Sequence, residues 1–179
     1  MDNFLGKSHR LQNWNYGWNG FYYITICTKN RQHYFGKIEN GEMILNSIGM
    51  VANRFWREIP EHFNNVKLDE FVVMPNHIHA ILIIDNDVET RQCLVSEDGY
   101  MDTIGQQRWQ NQGRETISSI VGSFKSICTK TINRMQDEIF FVWQPRFYDH
   151  IIRNETSLNS IREYIRDNPL KWDLDEYNR

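Results

Sequence analysis

The chain has 179 residues, which at roughly 100–200 residues per domain points to one domain, residues 1–179, with room for a real core. Its 40% hydrophobic and 24% charged composition excludes wholesale disorder, and its three cysteines, without a CxxC spacing, exclude a disulfide framework or a cysteine-based zinc site. A formal net charge of −3 argues mildly against a nucleic-acid binder.

Residues 1–20 are polar with Trp14, Tyr16 and Trp18 interspersed, which reads as an arm. They lack the apolar core of a secretory signal, and the longest apolar run, residues 80–84, falls far short of the ~20 residues that span a bilayer. A reduced cytoplasmic compartment and no membrane partner are therefore expected. The aromatic and β-branched run FYYITICT (21–28) predicts a strand, and Asn40-Gly41 between two short extended runs predicts a hairpin. Ile48, Val51, Ala52, Phe55, Trp56 and Ile59 recur at helical spacing, with Asn46 or Ser47 as the cap and Pro60 as the stop. VKLDEFVVM (66–74) predicts a strand, and residues 77–84 its antiparallel partner.

Residues 86–114 are polar throughout, a length that reads as a functional or disordered loop. An apolar stripe of Ile117, Ile120, Val121, Phe124, Ile127, Cys128 and Met135 predicts a helix over 115–136. A strand over 147–153 and a last helix over 156–168, closed by Pro169, complete the chain. With the hairpin set aside as peripheral, the order is βαββαβ plus a terminal helix. That is an α+β, ferredoxin-like antiparallel sheet with two helices on one face and a C-terminal helix.

The most informative segment is FVVMPNHIHAILII (71–84). Strand alternation places His77, His79, Ile81 and Ile83 on one face and Ile78, Ala80, Leu82 and Ile84 on the other. Both faces are apolar beyond the histidines, so this is expected to be a central, doubly covered strand. The two histidines lie about 7 Å apart along the strand and can converge on one cation. Two readings stay open: hydrogen-bonded structural histidines, or two ligands that need a third from elsewhere.

In the last helix Tyr164 and Asn168 are four apart and share a face bordering the Leu158–Ile161–Ile165 stripe. An Asn168 amide oxygen could complete a His77–His79 site, with the Tyr164 phenol one turn away as a nucleophile for a phosphodiester. The alternative is a boundary tyrosine and a helix-ending asparagine. A residue before proline is pushed out of α geometry, so Asn168 is expected just past the last regular turn.

Together these segments resemble a known family. YYITICTKNRQHYFG (22–36), DEFVVMPNHIHAILII (69–84), SIVGSFKSICTKTIN (119–133), VWQPRFYDHIIRN (142–154) and SIREYIRDNPLKW (160–172) are similar to the single-tyrosine HUH transposases, above all the REP-associated tyrosine transposases of bacteria. The resemblance implies His77 and His79 as metal-binding histidines, Asn168 as the third ligand where relatives often carry glutamine, and Tyr164 as the nucleophile. It implies a divalent metal, Mg or Mn. It implies single-stranded or hairpin DNA as partner, from REP-like elements or transposon ends, cut through a 5′-phosphotyrosine. A nucleoid-associated cytoplasmic protein, monomer or homodimer, is the corresponding setting. Tyr148 is the competing tyrosine and is read as packing or DNA contact, with His150 as a phosphate contact or a structural hydrogen bond.

Positive charge clusters at Lys7 and Arg10 in the arm, at Lys125, Lys130 and Arg134 along the long helix, and at Arg146, Arg153, Arg162, Arg166 and Lys171 around the expected site. Arg10, Trp14, Lys125, Trp143, Gln144, Arg146, Tyr148, His150 and Arg153 are thus candidate DNA contacts, by stacking and by following phosphates. Asp85, Asp87, Glu89, Asp173, Asp175 and Glu176 are expected to face away from the site. Two other functions stay open: a non-catalytic nucleic-acid-binding module on a ferredoxin-like sheet, and a metal-dependent nuclease that uses water.

Overall fold

A computed structural model describes residues 16–86, 116–135 and 140–178. Four strands form the central antiparallel sheet: β1 (Gly20–Cys27), β4 (Val66–Val73), β5 (His77–Ile84) and β6 (Tyr148–Ile152), in the spatial order β4-β5-β1-β6. This is the expected ferredoxin-like order. β2 (Gly36–Glu39) and β3 (Glu42–Leu45) pair separately as a hairpin. Its turn needs two residues at positive φ, and Asn40 (52°) and Gly41 (77°) supply them.

Helix α1 (Ser47–Arg57) is capped by the Asn46 side chain, which accepts from Gly49 N–H at 2.9 Å. The expected stop at Pro60 is corrected. α1 ends at Arg57, and Pro60 sits in the first turn of a short α2 (Ile59–His62), where a missing N–H costs nothing. α3 spans Ile117–Met135 and α4 spans Glu155–Asp167, the latter capped by Asn154 accepting from Ser157 N–H.

Alternation along the strands builds two cores of unequal size. Tyr22, Ile24, Ile26, Ile78, Ala80 and Leu82 face α1 and α3 in the larger one, where Trp56 and Phe124 meet edge to face at 4.9 Å. On the other face a smaller hydrophobic cluster of Ile81, Ile152, Leu158 and Ile165 fastens α4 to the sheet. β5 is therefore covered on both sides, as its sequence implies. Among the described residues no helix is long and apolar enough to cross a membrane.

β4 carries a register break between Leu68 and Phe71. The bulge aims two consecutive carboxylates at α4: Asp69 receives Arg162 at 2.9 and 2.5 Å, and Glu70 receives Arg166 at 3.0 Å. The residues 1–15, 87–115, 136–139 and 179, which include most of the expected arm and polar loop, lie outside the described residues.

Candidate metal and nucleophile site

His77 and His79 stand on the α4 face of β5, opposite Cys27 and Thr25 of β1, and neither is exposed to solvent. Their rings meet at 4.4 Å. The tautomer of His77 follows from its neighbour. Asn76 donates through Nδ2 to the carbonyls of Arg31 (3.1 Å) and Tyr177 (2.8 Å), so its Oδ1, 2.7 Å from His77 Nδ1, accepts the ring proton. His77 Nε2 is left with a bare lone pair, buried and without a hydrogen-bond partner.

His79 Nδ1 lies 2.7 Å from the Tyr23 hydroxyl and 2.9 Å from Thr25 Oγ1, while Thr25 donates to Tyr23 at 3.3 Å. With the proton on Nδ1, where Thr25 Oγ1 can accept it, Nε2 faces the Tyr164 hydroxyl at 3.3 Å. Burial pushes the His79 pKa down to about 3 and that of His77 well below its usual value, with the His79 charge adding to the effect at His77. Both rings are neutral at pH 7, as metal ligation requires.

α4 brings the remaining groups. Leu158 and Ile165 seat the helix, and Tyr164 emerges beside them, 40% exposed. Its phenol pKa is raised by partial burial and by the nearby Asp175 and Glu176 charges. Asn168 is buried and follows the last residue of α4 as its C-cap, as expected, yet it keeps α geometry (φ −56°, ψ −41°) despite Pro169. The chain keeps turning there, and Lys171 N–H bonds back to Asp167 and Asn168 carbonyls, holding that geometry. Asn168 Nδ2 donates to Asp175 Oδ2 at 2.9 Å, so Oδ1 is the free atom, buried and without a partner.

Two buried acceptors, His77 Nε2 and Asn168 Oδ1, are thus left without donors beside His79. Buried acceptors in that state are costly, and a cation removes the cost. The donor set fits a divalent metal: two imidazole nitrogens and an amide oxygen, with a carboxylate oxygen of Asp175 and one ring nitrogen each of His77 and His79 all within 4.8 Å of one another.

Asp175 overturns the expectation that the acidic residues face away. A 3-10 turn, Trp172–Leu174, seats Trp172 6.0 Å from the His77 ring and returns the chain over the histidines. The Tyr177 ring then lies tilted 4.7 Å from the His77 ring, and the Arg31 guanidinium lies 5.0 Å from the Tyr177 ring centre. The cations expected around the site are partly neutralised as well, since Arg162, Arg166 and Lys171 pair with Asp69, Glu70 and Asp167.

The candidate DNA contacts fall in several places. Arg10 and Trp14 lie outside the described residues. Trp143 is buried among Phe35, Phe124 and Phe141, so its indole packs the core and offers no face to a base. Lys125 bonds the carbonyls of Gln144 and Pro145 along a groove of about 680 Å³ between α3 and residues 142–147, and Gln144 N–H is held by the Cys27 carbonyl. Arg146 and Arg153 are exposed. Tyr148 and His150 share the histidine face of β6; Tyr148 stands 46% exposed with its ring edge-on to Tyr23 at 6.2 Å, and His150 is exposed.

Sequence reasoning did not single out Tyr23, Thr25, Asn76, Asp175 or Tyr177. Alternation along β1 would have found the first two, since residues 21, 23, 25 and 27 share the face of the histidines.

The chain is 42% identical over 170 residues to an uncharacterized protein of Haemophilus influenzae, covering 95% of this chain and 91% of that one. A solved structure of a REP-associated tyrosine transposase bound to a REP hairpin superposes with a TM-score of 0.52 at 19% identity, covering 95% of this chain and 77% of the other. No protein-family model matches the chain.

Proposed function

From a chain that belongs to the same family as the Haemophilus influenzae protein and has the fold of a REP-associated tyrosine transposase, we propose a metal-dependent single-tyrosine DNA transposase or strand transferase. The observation that carries this reading is the Tyr164 hydroxyl, 3.3 Å from His79 Nε2 and beside the two buried, unsatisfied acceptors of His77 and Asn168. A structural histidine pair has no need of a nucleophile on one side and bare lone pairs on the other.

His77, His79 and Asn168 hold the divalent cation, Mg or Mn, in this reading. When bound, it polarises a phosphate oxygen and favours loss of the phenol proton. That help is needed, because burial and the Asp175 charge both hold the Tyr164 proton in place. Tyr164 Oη attacks the scissile phosphorus as its proton departs; the phosphorus–O3′ bond breaks, and the O3′ leaves as a free 3′-OH after taking up a proton. The 5′ end stays on Tyr164 as a phosphotyrosine ester. That ester retains the energy of the cleaved bond, so rejoining needs no nucleotide cofactor. Asn76 fixes the His77 tautomer through these steps, and Tyr23 and Thr25 hold the His79 ring by its Nδ1.

The substrate class is single-stranded or hairpin DNA, of REP-like elements or transposon ends, in keeping with the REP hairpin bound by the structural relative. The protein acts as one domain, monomeric or dimeric, on cytoplasmic, nucleoid-associated DNA. The deciding experiment incubates the protein with labelled hairpin-bearing single strands and Mn²⁺ and reads a denaturing gel. A covalent protein–DNA band supports the proposal. Cleaved DNA without that band indicates a water-using nuclease, and binding without cleavage indicates a non-catalytic module.

A further inference from the structure

We propose that Asp175 is itself a metal ligand, a fourth donor brought to the histidines by the C-terminal turn. The inference rests on the metal-site reading above.

The turn is held in place at several points. Asp175 N–H bonds the Trp172 carbonyl at 3.0 Å, and Trp172 is buried between His33 and His77. Arg31 Nη1 donates to the Glu176 carbonyl at 2.5 Å and Asn76 Nδ2 to the Tyr177 carbonyl at 2.8 Å. The Asp175 carboxylate accepts from Asn168 Nδ2 on one oxygen (2.9 Å) and from Tyr177 N–H on the other (2.6 Å). A carboxylate offers about four lone-pair directions, so each oxygen retains capacity for a cation.

Charge selects ligation over simple orientation of the Asn168 amide. An imidazole nitrogen and an amide oxygen ligate as neutral donors, so a divalent cation held by His77, His79 and Asn168 alone would bring two uncompensated charges into a buried pocket. Among the described residues, Asp175 is the carboxylate within reach of both imidazoles. Two nitrogens, an amide oxygen and a carboxylate oxygen form a mixed donor set of the kind that suits Mn²⁺. The carboxylate also makes the site a protein-only one, able to hold the cation before any DNA phosphate arrives.

The test is Mn²⁺ titration of the full chain without DNA, by calorimetry and electron paramagnetic resonance, with circular dichroism as a check on folding. Asp175→Asn can still accept from Asn168 but has no charge; Asp175→Ala loses both. Wild type is expected to bind one Mn²⁺, both variants to bind at least about tenfold more weakly, and His77→Ala to lose binding. Wild-type affinity in Asp175→Asn overturns the proposal, including the case where Asp175→Ala alone is weak, which would leave Asp175 an orienting residue. Absence of Mn²⁺ binding in the folded wild type overturns the metal reading as a whole. A second measurement needs no variant: Fe²⁺ with ascorbate and peroxide cuts backbone next to a bound cation. Cuts near residues 174–176, besides those near 77–79 and 168, are expected; their absence overturns ligation by Asp175.

Discussion

The Tyr164 hydroxyl lies 3.3 Å from His79 Nε2, where one lone pair of the ring would face both the phenol and any bound cation. That lone pair cannot serve a proton and a cation at once. On the proposed reading, metal loading and release of the Tyr164 hydroxyl are therefore one event at this atom. Tyr164→Phe is expected to abolish the covalent DNA band while leaving Mn²⁺ binding equal or tighter. Tyr148→Phe, which alters a ring edge-on to Tyr23, retains the band. A denaturing gel and a calorimetric titration check both halves, and adduct on the Tyr164→Phe protein would sink the assignment.

Asn76 predicts a tautomer effect. Asn76→Ala removes the acceptor that keeps the His77 proton on Nδ1 and lets it reach Nε2. Mn²⁺ affinity is expected to fall about 10–100-fold, whereas Asn76→Asp, which still accepts from Nδ1, retains more of it. Unchanged affinity in Asn76→Ala would show that the asparagine does not govern the ring.

The bulged pair on β4 predicts a selective loosening of α4. Asp69 is held below the usual carboxylate range chiefly by its hydrogen bonds from Arg162. A depressed carboxyl contributes stability above its unfolded value of 3.8, and that contribution is lost as pH falls through the lower folded value. Asp69→Asn is expected to cost about 1 kcal/mol, the usual worth of a charged hydrogen bond discounted for partial exposure. Hydrogen exchange should quicken in α4 and stay slow in β1 and β5.

Acid sensitivity should also come from the histidines. The His79 pKa is lowered from 6.5 to about 3 by burial. Between those values the unfolded chain binds a proton that the folded one does not, so stability falls as pH drops from 6.5 towards 3. The slope from this group approaches about 1.4 kcal/mol per pH unit, and His77 adds to it in the same direction. Denaturant midpoints measured from pH 7 to 4 are expected to decline steeply in wild type and less steeply in His79→Gln.

Two glycines give opposite outcomes. A Cβ on Gly122, exposed on α3, meets no atom within 4 Å, so Gly122→Ala is expected to raise stability by about 0.5–1 kcal/mol through helix propensity. A Cβ on Gly49 would lie 2.1 Å from the Phe35 carbonyl oxygen, and Gly49→Ala is expected to cost about 1–3 kcal/mol. Thermal melts of the two variants decide it.

Much of this was legible from the chain because it depends on short-range pattern. Period-two alternation put His77 and His79 on one face of β5, and helical spacing put Tyr164 and Asn168 on one face of α4. What was hidden depends on reversals of direction that no local pattern encodes. Asp175 reads as one of several carboxylates in a polar tail until the turn at Trp172 carries it back to the histidines. Trp143 reads as a candidate stacking surface until Phe35 and Phe124, distant in sequence, close around it. The bulge at Asp69 and Glu70 is equally invisible, since it is defined only by its partners on β5 and α4.

The unequal size of the two cores has a thermal consequence. The larger cluster keeps the sheet together, whereas the helix bearing Tyr164 is fastened by the small cluster around Leu158 and Ile165 and by two ion pairs. Local opening of that helix exposes far less apolar surface than global unfolding and so lies lower in free energy. Opening of that helix on warming is therefore expected before global unfolding, carrying the phenol away while the sheet still holds the histidines in line.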